Sequence, residues 1–494
     1  MITVRNLRHA ARATACVVTL ALVAACGSDD DSGASTTPDE PATTEAEATE
    51  TTDEPAPDTA PVDSAAESEP ETETEEPAAE APSGEADGDP IRIGIQNLEG
   101  DPAGSFPEFN TAIEAAAEYI NAELGGLGGR PIELVVCNSV VSPDDSQRCA
   151  NELAADEIEV AVSTINFFGN HLSIYEGSDI PVVVLRPVTV ADFTAEGVFS
   201  IGAGGGCLGS HTGLVQFITD EIEDLEEIEV NKVAVPWADT PPGVFCFNDL
   251  EAKPLDVIAG VTEGSSERFG EKPDLEFIDV PIVPATPDLT PRATEIFSYE
   301  PDVIMFSAQG ADCWNLVDAL GRVGWTPEKI PMALSGSCTD FDAMEAAGDL
   351  AEGIYFTGTT NSLLVSPDGL EEGRHRDEVT TYQTKGLEYG MPDSDLFKGF
   401  AAQGFAGMMN IWEIANTIDG EVTGQAISDA FAATNGSASA FGGSPLNCAG
   451  APAPYLSVCS SIISISRWDG ENLVPVVPEI DGIGLVAGTE LRPN

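Results

Sequence analysis

Positive charge is what this 494-residue chain has least of: 20 Lys and Arg stand against 85 Asp and Glu, a formal net charge of −65. Such an excess repels phosphate backbones and anionic headgroups, which argues against nucleic acid or a charged membrane surface as partner. Histidine is scarcer still, with four in the chain. HExxH, GxSxG and P-loop patterns are missing, and no cysteine pair has the CxxC spacing of a zinc ribbon or redox centre. No catalytic residue, metal or cofactor is therefore expected, although an acidic chain leaves a carboxylate pair, and with it an exported hydrolase, as a rival reading. After the first 25 residues no uncharged apolar run is long enough to cross a bilayer.

What is present begins with a leader. Arg5, Arg8 and Arg12 precede the apolar stretch 13–25, which is too short for a membrane span and long enough for the core of a secretory signal. Val23-Ala24-Ala25-Cys26 closes it and resembles a bacterial lipobox, in which the cysteine takes a lipid and becomes the mature N-terminus. Residues 1–25 are read as a lipoprotein signal peptide and Cys26 as the lipidation site. The protein is thus expected in the cell envelope outside the cytoplasm, attached to the membrane through lipid alone. Residues 27–90 hold no Lys or Arg and almost no large apolar side chain, so they cannot bury enough surface to offset ordering entropy. Residues 26–90 are read as the lipidated cysteine and a disordered acidic tether, reaching roughly 45 Å as a coil and about 200 Å in polyproline geometry.

The body beyond residue 90 exceeds what one core holds, so more than one lobe is expected. Its 63 acidic and 17 basic residues keep it strongly anionic. Strands and helices alternate: strands at 91–95, 132–136, 160–163 and 182–185 are separated by helices at 107–124, 143–155 and near 170–178. A second series of strands follows at 232–236, 276–280, 303–306 and 332–334. Helical crossovers between strands make parallel sheets covered on both faces, so the fold class is α/β with two doubly wound lobes. Eight cysteines lie in this body and suggest structural disulfides. Sequence proximity pairs Cys137 with Cys149, Cys207 with Cys246, Cys313 with Cys338 and Cys448 with Cys459, while eight cysteines allow 105 connectivities.

The runs IRIGIQNLEGDPAGSFPEFNTAIEAAAEYINAELGGLGGRPIELVVC, DDSQRCANEL, VAVSTI and DIPVVVLRPVTVADF resemble the first lobe of type I periplasmic binding proteins, above all the leucine/isoleucine/valine-binding and related solute-binding proteins of ABC importers. The resemblance extends to about residue 480 through NKVAV, PDVIMFSAQGADC, AEGIYFTG and a closing hairpin around ISISRWDGENLVPV. It implies three crossings between lobes, with lobe I at 91–206 plus 354–442 and lobe II at 207–353 plus 443–494. It also implies a bridge between Cys137 and Cys149, a small-molecule ligand and an ABC importer permease as partners, a monomer, and no enzymatic step. A ligand sensor of the same fold is the alternative.

Open α/β sheets bind ligands at the carboxyl ends of their strands. The candidates there are Asn97, Phe106, Thr164, Asn166, Phe167, Arg186 and Thr189 in lobe I, and Trp237, Gln309 and Ser335 in lobe II. Amino-acid binders of the family hold the ligand carboxylate with hydroxyls and its ammonium with an acid. Here the matching stretches read Asn166-Phe167-Phe168-Gly169 and Leu334-Ser335-Gly336-Ser337, which puts a zwitterionic aliphatic ligand in doubt and leaves a small polar or anionic solute. Arg186 is the sharpest candidate, a guanidinium at a strand end in a chain poor in bases, with Asp192 as its rival internal partner. Gly204-Gly205-Gly206-Cys207-Leu208-Gly209 matches GxGxxG but sits mid-chain, so it is read as a crossover into lobe II. His211, beside Ser210, is read as a polar histidine at a helix start.

Overall fold

The computed structural model describes residues 84–202, 204–261, 272–437 and 440–486, with the side chains of residues 484 and 485 set aside. The signal peptide, Cys26 and most of the tether lie outside these residues. The folded body starts before residue 90: Gly84 N donates to Glu123 O, Ala86 N to Asn121 O and Gly88 N to Gly129 O. Arg130 then clasps the segment through the carbonyls of Asp89 and Pro90.

Five strands, β1 (Ile91–Leu98), β2 (Ile132–Ser139), β3 (Val160–Ser163), β4 (Val182–Val184) and β5 (Val198–Ser200), form a parallel sheet in the order β2-β1-β3-β4-β5. Val160, Val162 and Val183 pack into one hydrophobic cluster, and Ala161, Val182 and Val184 into another on the opposite face. Strands covered on both faces need continuous apolar runs, which is why VAVS and VVV read as strands without alternation. The helices Pro107–Glu123 and Pro143–Ala155 fall where the sequence puts them, each with proline in its first turn.

The second sheet has seven strands: β6 (Lys232–Ala238), β7 (Glu276–Ile282), β8 (Val303–Phe306), β9 (Met332–Leu334), β10 (Tyr355–Gly358), β11 (Ile462–Trp468) and β12 (Leu473–Asp481), in the order β12-β11-β10-β9-β8-β6-β7. It is parallel except at one edge, where β11 runs antiparallel to both β10 and β12. The boundary expected at 354 lies one strand later, because Tyr355 and Phe356 pair with Ala333 and Leu334 of β9 and belong to the second sheet. Only beyond Gly358 does the chain return to the first lobe. There the helix Gly399–Ala415 lies against the helix Pro107–Glu123, Phe400 stacking on Phe109 at 4.9 Å and meeting Phe106 edge-on at 4.9 Å. It crosses a third time into the β11–β12 hairpin, giving two α/β lobes joined by three crossovers.

All eight body cysteines are bridged, Cys137–Cys149, Cys207–Cys246, Cys313–Cys338 and Cys448–Cys459. The second joins the helices Cys207–Gln216 and Pro241–Phe247, and so fixes one wall of the cleft described below.

Buried His171 sets an acid limit on this fold. Its Nε2 lies 3.0 Å from Ser163 Oγ, its Nδ1 has no partner, and burial pushes its pKa from 6.5 down to about 3. Between those values the unfolded chain binds a proton that the folded chain refuses, so stability falls as pH drops through this window. Asp192, raised by burial from 3.8 to about 6, works the other way, since the folded form retains that proton longer. His171→Leu is expected to move the acid-unfolding midpoint down by about half a pH unit or more, read by circular dichroism against pH. An unchanged midpoint would mean that His171 is not what limits acid stability.

Candidate functional site

The first crossover packs so closely that side chains are excluded from it. A Cβ on Gly202 would lie 1.5 Å from Leu185 O, one on Gly204 2.3 Å from Ile463 Cγ2, and one on Gly206 1.9 Å from Pro187 O. The glycine-rich run therefore serves backbone approach at the junction of the lobes, as its reading as a crossover requires.

Beside this junction the carboxyl ends of the two sheets face each other across a cavity of about 40 Å³. Phe167, after β3, and Arg186, after β4, come from the first lobe. Thr240 after β6, Ser307 and Gln309 after β8, and Ser335 and Ser337 after β9 come from the second, with His211 from the helix Cys207–Gln216. The cleft is closed: Arg186 Nη2 donates across it to Ser335 Oγ at 3.2 Å, and reaches Ser210 Oγ at 3.5 Å.

Arg186 is 3 % exposed, and burial pushes its pKa down to about 10, so it remains a cation at neutral pH. Neither its Nε nor its Nη1 has a protein partner among the described residues, and none of the ion pairs there involves it. Asp192, its expected rival, turns away: Oδ2 accepts from the backbone N–H groups of Val188 and Thr189 at 2.9 Å, completing a capping box with Thr189. A buried cation without a counter-charge is strongly disfavoured, so a site of this kind invites an external anion.

The other ionisable wall is His211. Its Nδ1 lies 2.8 Å from Oε1 of the wholly buried Glu251, a close contact without hydrogen-bond alignment, and Ser307 Oγ donates to the same oxygen. His211 Nε2 is left without a protein partner among the described residues. Glu251 stands behind the histidine and outside the lining, so no carboxylate borders the cleft among the described residues.

Of the ten expected ligand contacts, Phe167, Arg186, Gln309 and Ser335 line the cleft. The other six are engaged elsewhere. Asn97 donates to Phe106 O and accepts from Thr164 Oγ1, which shapes the loop after β1. Asn166 Oδ1 accepts from the N–H groups of Phe168 and Gly169, and Thr189 caps a helix. Phe106 packs on Phe400, and Trp237 stacks on Phe247 at 5.0 Å with the rings nearly parallel. The sequence reading missed His211 as a lining residue and Glu251 altogether. Glu251 contacts Ser307 from 56 residues away, and no local pattern marks it.

The sequence profile of the periplasmic binding protein family matches residues 90–224 and 258–449, more than half of the chain. No curated protein sequence matches. Among solved structures, a branched-chain amino acid ABC transporter protein from Thermus thermophilus with bound valine superposes with a TM-score of 0.61 at 16% identity, over 81% of this chain and 98% of that one. An ABC transporter solute-binding protein from Rhodopseudomonas palustris in complex with 4-hydroxybenzoate gives 0.57 at 16% identity, over 80% and 97%. A branched-chain amino acid transporter substrate-binding protein from Streptococcus pneumoniae in complex with isoleucine gives 0.55 at 13% identity, over 79% and 100%. The helices of the described residues are all too short or too polar to cross a membrane. With two parallel-sheet lobes, three crossovers and a cleft between opposed strand ends, the chain belongs to the periplasmic binding protein family, whose members are extracytoplasmic, non-enzymatic solute-binding proteins.

Proposed function

We propose that this protein is a lipid-anchored solute-binding protein that captures a small carboxylate in its interlobe cleft and presents the closed form to an ABC importer. The observation that carries the reading is Arg186, a buried guanidinium with two free donor positions, no carboxylate partner and a cleft without acids around it. A ligand carboxylate supplies the missing charge and accepts charge-assisted hydrogen bonds from the open donor positions. His211 Nε2, Ser335 and Ser337 complete the polar rim.

The relatives with similar folds divide on this point. Those from Thermus thermophilus and Streptococcus pneumoniae hold valine and isoleucine, and the one from Rhodopseudomonas palustris holds 4-hydroxybenzoate. A cleft lacking an acid for an ammonium group favours the second kind of ligand. Ligand binding then selects the closed form in proportion to its differential affinity for that form.

Native mass spectrometry of the freshly purified body tests the reading, because a tightly held solute survives purification. Expected is an adduct with the mass of an organic acid without an amino group; an adduct with the mass of an aliphatic amino acid would overturn the reading of a carboxylate that lacks an ammonium group. For the anchor, Cys26→Ser is expected to move the protein from the membrane fraction to the soluble one. If the variant stays membrane-bound with unchanged mass, Cys26 is not the lipid site.

A further inference from the structure

Arg186 borders two cavities. Besides the cleft, it forms part of the wall of a chamber of about 80 Å³, twice the cleft's 40 Å³ and several times the roughly 10–15 Å³ that admits one water. This chamber lies at the crossovers. Ile201 comes from the first, Leu363 from the second and Phe441 from the third, and Ile463 of β11 stands beside them. The helix Gly399–Ala415 closes it with one face, since Ala402, Gln403, Ala406 and Asn410 follow each other at helical spacing.

Its chemistry is specific. Arg186 is the only charged side chain among the described lining residues, and the rest of the wall is largely apolar. Asn410 has its amide satisfied, donating to Phe441 O and accepting from Phe441 N. Gln403 does not: its Oε1 is buried without a partner, and no described residue bonds its side chain. A buried acceptor without a partner among the described residues, on a side chain that borders the chamber, calls for a donor.

We infer that the ligand space continues past Arg186 into this hinge chamber, so that the solute is a carboxylate with an apolar body and a distal hydroxyl. The carboxylate sits on Arg186, the body displaces water from the chamber, and the hydroxyl donates to Gln403 Oε1. This inference rests on the carboxylate reading above and names the kind of carboxylate. Because the chamber walls are the crossover segments themselves, a body seated there is gripped directly by the parts of the chain that connect the lobes.

Isothermal titration of the full mature protein with propanoate, benzoate and 4-hydroxybenzoate tests it. Wild type is expected to bind the aryl acids about tenfold or more tighter than propanoate, with 4-hydroxybenzoate ahead of benzoate. Ala406→Leu, which fills the chamber, is expected to remove the aryl advantage while propanoate affinity stays within about twofold. Gln403→Leu, close in volume and a safeguard if the first variant folds poorly, is expected to abolish the preference for 4-hydroxybenzoate over benzoate and to leave benzoate binding intact. Propanoate binding with no aryl advantage, or an aryl advantage that survives both substitutions, overturns the chamber and leaves the carboxylate reading standing. Failure of all three acids to bind wild type overturns both.

Discussion

Arg186→Lys is expected to weaken carboxylate binding by about 10- to 150-fold, the cost of losing one hydrogen bond to a charged group, about 1.5–3 kcal/mol. Lysine keeps the charge but offers a point donor in place of the planar guanidinium with its several fixed donors. Arg186→Met should remove binding to carboxylates altogether. The ligand-free protein should respond in the opposite direction. Arg186 is 3 % exposed and lacks an opposite charge, so exchanging it for an apolar side chain of similar length relieves an unfavourable burial. The melting temperature of empty Arg186→Met should therefore equal or exceed that of wild type, while ligand no longer raises it. Calorimetric scans with and without 4-hydroxybenzoate read both effects. A variant that melts several degrees lower when empty, yet still gains stability from the acid, would mean that Arg186 is a structural residue and that the anion lies elsewhere.

The fold was legible because its strands are buried on both sides and its helices are punctuated. Val160–Ser163 and Val303–Phe306 stand out as apolar runs between polar turns, and proline opens the helices Pro107–Glu123 and Pro143–Ala155. β5 escaped notice because three residues carry no period. The boundary at 354 was misjudged because a strand's apolar run does not say which sheet it joins; the register of Tyr355 on Ala333 does. At the cleft, position along the chain singled out Arg186, a base ending an apolar strand in a basic-poor protein, and the structure places it on the lining. Aromatic residues at strand ends were less informative. Phe106 and Trp237 lie among candidate loops, but ring stacking on Phe400 and Phe247 uses the same surface that ligand contact would. Polar loop residues such as Asn97, Thr164 and Asn166 were misread for a related reason: tight loops at strand ends carry backbone groups that need partners, and local side chains supply them.

Gly206→Ala is expected to be a strongly damaging small substitution at the junction of the lobes. Gly206 caps the helix Cys207–Gln216 with φ 63° and ψ −133°, a conformation reserved in practice for glycine. Gly310 caps the helix Ala311–Arg322 with nearly the same dihedrals, φ 56° and ψ −138°. The two differ in surroundings: a Cβ at Gly206 would lie 1.9 Å from Pro187 O, whereas one at Gly310 would meet nothing within 4 Å. Backbone strain of about 1–3 kcal/mol applies to both and cancels in their comparison. What remains is the clash, and the atom opposite Gly206 is backbone that cannot swing aside. Gly206→Ala should exceed Gly310→Ala in destabilisation by about 2 kcal/mol or more, as overpacking of a close contact does. The strain has one outlet, a shift of the first crossover away from the segment that follows β4 and carries Arg186. Ligand affinity should then fall along with stability in Gly206→Ala. Equal melting temperatures for the two variants would show that the glycine-rich run answers to backbone conformation alone and not to the packing of the crossovers.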